Sequence, residues 1–347
     1  MSQAERGTSP STEWKEIAQD NEQALFQGFA GEIRKLQEKA AAGGTIQRGF
    51  HNKIHAGLRA EFCVMRDRPE QARYGVFSEP RTFPALVRFS NGDSFSNADS
   101  NKEPRGIAIK LIGVSGRKLL PGREDAITQD FLATSHSVTS AVRNVSQFMA
   151  FVRATRHGEL LPVSLVALVR GLGVREAIRI LLALKKSFAT KVSSMLTEQY
   201  SSTAPIKLGP YAVKFTVQPK DGGAGTNSHP TSTDDFLHKD LVERLKSDIV
   251  LDFLVQFYVD DVRTPIEDTS VKWDTPPYKV AELRIPNCNP DSSEGIELTG
   301  RVDKFSFSPW HATEDHRPLG NVMRARRVAY EASSAFRGHE PEPTRMI

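Results

Sequence analysis

Hydrophobic and polar positions alternate most cleanly over residues 249–259. Ile249, Leu251, Phe253, Val255, Phe257 and Val259 fall on one side, with Asp252 and Gln256 on the other. Successive strand residues point to opposite faces, so this pattern predicts a strand with one buried face. Shorter alternating or apolar runs at 62–65, 83–89, 107–112 and 211–217 read as further strands. Helical spacing takes over elsewhere. Leu25, Phe29, Ile33 and Leu36 recur within 14–42, and the segments 145–154, 160–189 and 322–336 are helix-like, the last free of Pro and Gly and bounded by Gly320 and Gly338. Asp221-Gly222-Gly223-Ala224-Gly225 reads as a loop. Strands, a helical insert, more strands and a C-terminal helix predict an α+β chain around a sheet or barrel. No internal repeat is visible, so one domain is expected over 43–340, preceded by a tail and helical arm over 1–42.

Composition narrows the function classes. The 347 residues, 39% of them hydrophobic, suffice for a large core. A net charge of +4 arises from 46 basic and 42 acidic residues spread without a basic block, which gives nucleic-acid binding no support. Cys63 and Cys288 are far apart and lack CxxC spacing, which excludes a zinc ribbon, an iron-sulfur cluster or a disulfide scaffold and suits a reducing compartment. Residues 1–12 are rich in Ser, Thr and Gly, expected to be disordered and unlike a secretory leader. The longest apolar stretch, 160–169, stops at Arg170 and is too short to span a bilayer. A cytoplasmic protein without a transmembrane segment is expected.

The C-terminal helix carries candidate chemistry. Arg326 and Tyr330 are four residues apart and Arg337 is seven further on, so all three share a helix face. A phenol ordinarily ionises near pH ~10, and neighbouring guanidiniums favour the phenolate, a hard metal ligand. On spacing alone, a surface helix with solvated arginines and its tyrosine packed on the sheet is the better-supported reading. His51 and His55, four apart, form a possible metal pair, although Asn52 stands where a zinc-protease helix has Glu. Gly171-Leu172-Gly173 lacks the third glycine of a dinucleotide loop, and Asn144-Val145-Ser146 matches a glycosylation acceptor by letters alone. The apolar segment 160–186, interspersed with Arg170, Arg175, Arg179, Lys185 and Lys186, suits either a membrane-surface or lipid-accepting helix pair or helices packed on a core with solvated basic residues.

These residues, with several upstream stretches, make the chain resemble the catalase family. Arg326-x-x-x-Tyr330 is similar to the family's proximal ligand motif, and Arg337 matches an arginine that holds a haem propionate. Arg48-Gly49-Phe50-His51-Asn52-Lys53 resembles Arg-x-x-His-x-Lys, which implies a propionate role for Arg48 and distal acid-base work for His51. Leu86-Val87-Arg88-Phe89-Ser90 and Pro104-Arg105-Gly106-Ile107-Ala108-Ile109-Lys110 look like the family's Val-Arg-Phe-Ser and Pro-Arg-Gly-Phe-Ala-Val-Lys strands. Period two independently puts Arg88 and Ser90 on one side. The resemblance assigns Arg88 to a propionate and Ser90 to a hydrogen bond with the distal histidine. Arg143, followed five residues later by Phe148, resembles the segment whose aromatic ring packs over the haem.

The match runs from about Arg48 to Arg337, ungapped only within each motif. It implies a compact catalase-like antiparallel barrel, with a helical insert and a C-terminal helix and without the flavodoxin-like domain of large catalases. The implied cofactor is haem b, its iron held by Tyr330, and the implied reaction is hydrogen peroxide decomposition or peroxide-driven oxidation of an organic donor. Family relatives add dehydration or cleavage of a fatty-acid hydroperoxide. A non-enzymatic barrel carrying haem or a lipid is the alternative of a different class. The family's distal asparagine is absent from Leu132-Ala133-Thr134-Ser135-His136-Ser137, which leaves Thr134 or Ser135 to donate to a bound peroxide. The N-terminal arm suits subunit contacts in a homo-oligomer.

Overall fold

The computed structural model describes residues 9–42, 44–93, 95–135, 141–154, 162–189, 192–220 and 233–347. Among them nine strands form one antiparallel sheet: β1 (Ile54–Val64), β2 (Thr82–Asn91), β3 (Arg105–Ile112), β4 (Thr128–Ser135), β5 (Tyr200–Ser201), β6 (Ile206–Leu208), β7 (Tyr211–Pro219), β8 (Ile249–Phe257) and β9 (Pro277–Ile285). The two-residue β5 pairs with both β4 and β7 and so closes eight strands into a barrel, while β6 pairs with β7 alongside it. Closure buries the inward-pointing alternate residues. Phe62, Phe131, Phe215 and Phe253 meet at the centre, with Phe253 5.0–5.2 Å, centroid to centroid, from the other three.

All five runs that alternation marks as strands fall on strands, although Met65 and residues 258–259 lie past the strand ends. The alternation misses β4 and β9, because polar side chains interrupt them: Asp130 is buried in β4, and Glu282 sits between Lys279 and Arg284 in β9. It sees only the end of β1, whose first half is buried on both faces. Outside Gly57 lies a helix so close that a Cβ there would stand 2.7 Å from Val302 and 2.9 Å from the Thr299 backbone.

Among the described residues seven α-helices surround the barrel: α1 (Glu22–Ala41), α2 (Val145–Ala154), α3 (Pro162–Leu172), α4 (Val174–Ala189), α5 (Phe236–Arg244), α6 (Ser293–Lys304) and α7 (Asn321–Arg337). Helix α7 packs on α1, where Ala325 and Ala329 admit Phe26, Phe29 and Ile33. The N-terminal helix is shorter than its periodicity predicts. The chain before Asn21 is not helical, because tertiary contacts claim it: Trp14 Nε1 donates to Pro210 O at 2.8 Å, and Arg324 pairs with Glu16, Glu22 and Glu267. Of the tail expected to be disordered, residues 9–12 are described, and Ser11 N donates to Tyr258 O at 2.9 Å. The long apolar insert breaks into α3 and α4 at Gly173, whose φ is +82°. The Gly-rich loop at 221–225 lies outside the described residues. No helix among the described residues is long and apolar enough to cross a membrane.

Candidate active site

A cavity enclosing ≈ 920 Å³ of empty space, its open mouth included, lies outside the barrel between β2–β4 and helices α1 and α7. Its sheet wall follows from register. Ser90 faces Gly106, Gly106 faces Thr134 and Thr134 faces Ser201, so small or hydroxyl-bearing residues form a row across four strands. Arg88 and Ser90 share the outward face of β2, while Val87 and Phe89 belong to the barrel core.

His51 is held over this row. It precedes β1 with φ +57°, and its ring lies so close to Gly106 that any side chain there would collide with it. This close approach is why glycine follows Pro104-Arg105. Ser90 Oγ lies 3.3 Å from His51 Nδ1. Burial, then the charges of Arg88 and Arg326, push the imidazole pKa down to about 3, so the ring is neutral at pH 7.

The helix wall carries the phenol. Arg326 Nη2 donates to Tyr330 Oη at 2.8 Å, one turn apart on α7 as spacing predicts. Three further guanidiniums converge at the end of α6. Arg48 Nη2 donates to the carbonyls of Asp303 (2.6 Å) and Phe305 (2.8 Å), and Arg337 reaches the same two at 3.4 and 3.2 Å. Arg88 Nε donates to Asp303 Oδ1 at 3.0 Å. Burial and then repulsion from Arg48 push Arg88 down to about 9, and Arg337 to about 10 for the same two reasons. Burial pushes the Asp303 carboxyl up, but Arg88 and Arg48 outweigh it and hold it below the usual range. The lining holds four arginines, one histidine and one tyrosine, with no carboxylate; Asp303 stands just behind it.

Eight of the ten residues singled out in the sequence line this one cavity: Arg48, His51, Arg88, Ser90, Thr134, Arg326, Tyr330 and Arg337. The other two do not. Ser135 is fully buried, pointing opposite to Thr134, with its Oγ accepting the Arg105 N–H at 2.9 Å. Phe148 stands outside the lining, edge-on to Phe29 (5.4 Å) and Phe50 (6.2 Å), which do form it. Residues that sequence reasoning passed over are Asp303 and the Ser201-Ser202-Thr203 run. The two-residue β5 carries no periodicity, and Asp303 is 215 positions from Arg88.

His55 is no partner of His51 for a metal. It is buried elsewhere, Nε2 2.7 Å from Asn91 Oδ1, and no group of three or more His, Cys, Asp or Glu side chains among the described residues is disposed to hold an ion. Asn144 Oδ1 accepts the Gln147 N–H at 3.1 Å at the start of α2, which is a helix-cap role.

Three solved structures with the same architecture are catalases. A fungal catalase matches 96% of this chain and 68% of its own at 17% identity and TM-score 0.65. Catalase A from Saccharomyces cerevisiae matches 96% and 71% at 16% identity and TM-score 0.66. A bacterial catalase matches 93% of this chain and 62% of its own at 15% identity and TM-score 0.62. No family model and no curated protein matches the sequence. The fold is therefore catalase-like: an antiparallel eight-stranded barrel with helices outside it.

Proposed function

We propose that this protein binds haem b through Tyr330 and processes a peroxide, with residues 43–340 as the haem-binding unit. The observation that carries this reading is the charge imbalance of the cavity: four guanidiniums line it and one carboxylate, Asp303, backs it. Buried cations need anionic partners. A planar dianion between the His51 wall and the Tyr330 wall supplies them, so the residues present fit haem.

Arg48, Arg88 and Arg337 would hold the propionates, and Tyr330 would ligate the iron, its oxygen positioned by the Arg326 hydrogen bond. Bound haem supplies the redox-active iron needed to split a peroxide O–O bond. His51, neutral and held through Ser90, takes the proton of the incoming peroxide at Nε2 and returns it to the departing oxygen, which then leaves as water or alcohol. Thr134 presents a hydroxyl in place of the distal carboxamide.

The reaction is peroxide decomposition or peroxide-driven oxidation of an organic donor. Dehydration or cleavage of a fatty-acid hydroperoxide uses the same residues on a larger substrate. Oxygen evolution from hydrogen peroxide, measured beside diene loss from a fatty-acid hydroperoxide on one haem-loaded sample, separates these outcomes. Protein from haem-sufficient cells with no Soret band refutes the cofactor assignment.

A further inference from the structure

Three non-glycine residues among those described have left-handed φ: Ala42, His51 and Thr203. Ala42 caps α1, where that conformation is ordinary. The other two line the same cavity. Thr203 is the more costly, because a β-branched side chain at φ +64° crowds its own backbone.

The surroundings impose that conformation. Ser202 exchanges two hydrogen bonds with Phe215 of β7: its N–H donates to Phe215 O at 2.9 Å, and its Oγ accepts the Phe215 N–H at 3.2 Å. Thr203 N–H donates to Ser201 Oγ at 3.3 Å, and Ala204 N–H to Ser202 O at 2.7 Å. The hydroxyls of Ser201 and Ser202 are thereby engaged. Thr203 Oγ1 makes no hydrogen bond among the described residues. Thr203 follows β5, whose Ser201 faces Thr134, so it belongs to the sheet wall with His51 rather than to the Tyr330 wall.

We propose that Thr203 is a ligand-contacting residue, held in a strained left-handed conformation that presents its free hydroxyl to the small molecule bound on the His51 side. The assignment rests on the haem reading above and adds a hydrogen-bond donor to it. Strain persists where the surrounding structure over-determines it, and such positions cluster at ligand sites.

Thr203→Gly, Thr203→Ala and Thr203→Ser, compared with wild type in the haem-loaded full chain, test it by thermal melting and by azide titration of the Soret band. At an ordinary right-handed position alanine is more stable than glycine; here the glycine variant should melt above the alanine variant, because only alanine keeps a Cβ. Glycine and alanine variants should each bind azide roughly three- to tenfold more weakly, and serine should restore binding. An alanine variant that melts above glycine, or azide affinities equal to wild type in both, overturns the proposal while haem binding stands. A wild type with no Soret band overturns the haem reading and this inference with it.

Discussion

Two clusters of buried charge lie on the outer face of the same strands and meet at Phe307, yet their charges are arranged differently. The Arg48 guanidinium lies 5.9 Å from the Phe307 ring centroid, and the Lys110 ammonium 5.1 Å from it. In the Lys110 cluster every charge is matched. Lys110 Nζ donates to Asp130 Oδ1 and Glu342 Oε2, each at 2.7 Å, and Arg123 reaches Glu342 Oε1 at 3.3 Å. Thr128 Oγ1 donates to Glu342 Oε2 at 3.0 Å, and the Ser308 N–H to Asp130 Oδ2 at 2.9 Å. Two cations face two carboxylates, one of them from the C-terminal tail. In the cavity only Arg48 and Arg88, of the four guanidiniums, pair with a carboxylate, and it is the same one, Asp303. A matched network fastens the tail to the barrel and has no demand left for a ligand. An unmatched one is stabilised by binding an anion.

This contrast can be broken at either end. The largest effect is expected in the cavity: His51→Ala should cut peroxide turnover of the haem-loaded protein by roughly 10²–10⁴-fold with the Soret band retained. Turnover at the wild-type rate would remove His51 from the proton transfer. Lys110→Met leaves buried Asp130 without its cation and Glu342 with Arg123 alone, and should destabilise the fold by about 3–5 kcal/mol in urea, with azide affinity unchanged. A loss below about 1 kcal/mol would show that the two acids simply become neutral.

Acid separates stability from ligand binding more gently. His51, His311 and His316 are pushed down to about 3 and His55 to about 4, in each case mainly by burial. The folded chain leaves them neutral where the unfolded chain, with histidines near ~6.5, takes up protons, so stability falls as pH drops below that value. Burial raises the carboxyls of Asp130, Glu198 and Glu103, which oppose this by holding protons in the fold. Four histidines against three carboxyls leave a net loss of up to about 1.4 kcal/mol per pH unit between ~6.5 and ~4.5. Urea midpoints at pH 7.5 and 5.5 measure it, and a higher midpoint at 5.5 would reverse the sign. The smallest effect is Arg337→Gln, which removes one of the unmatched cations. The haem-free protein should change by less than about 1 kcal/mol while haem dissociates faster, whereas strong destabilisation would make Arg337 a structural residue like Lys110.

Much of the cavity was legible because its motifs are local. Arg326 and Tyr330 meet across one turn of one helix, and Arg88 and Ser90 share a strand face, so their relation follows from backbone geometry over four and two residues. The helical insert and the five core strands were legible for the same reason. Phe148 stands outside the cavity lining with Phe29 and Phe50 in front of it, a placement no motif letter reveals. Of the two alternatives Thr134 and Ser135, only Thr134 lines the cavity, because one residue along a strand reverses the face.

By itself, then, the sequence determined the short-range chemistry: the arginine-held phenol, the arginine and serine on one strand face, and a histidine three residues after Arg48. Only the tertiary structure decided that these share one cavity, that the Asp303 carboxylate backs it, that Glu342 completes the network beside it and that Thr203 lines it from a strained turn. The reason is physical. Backbone periodicity relates residues a few positions apart, whereas charge balance is settled between groups that only barrel closure and helix packing bring together, across 215 residues for Arg88 and Asp303 and 232 for Lys110 and Glu342.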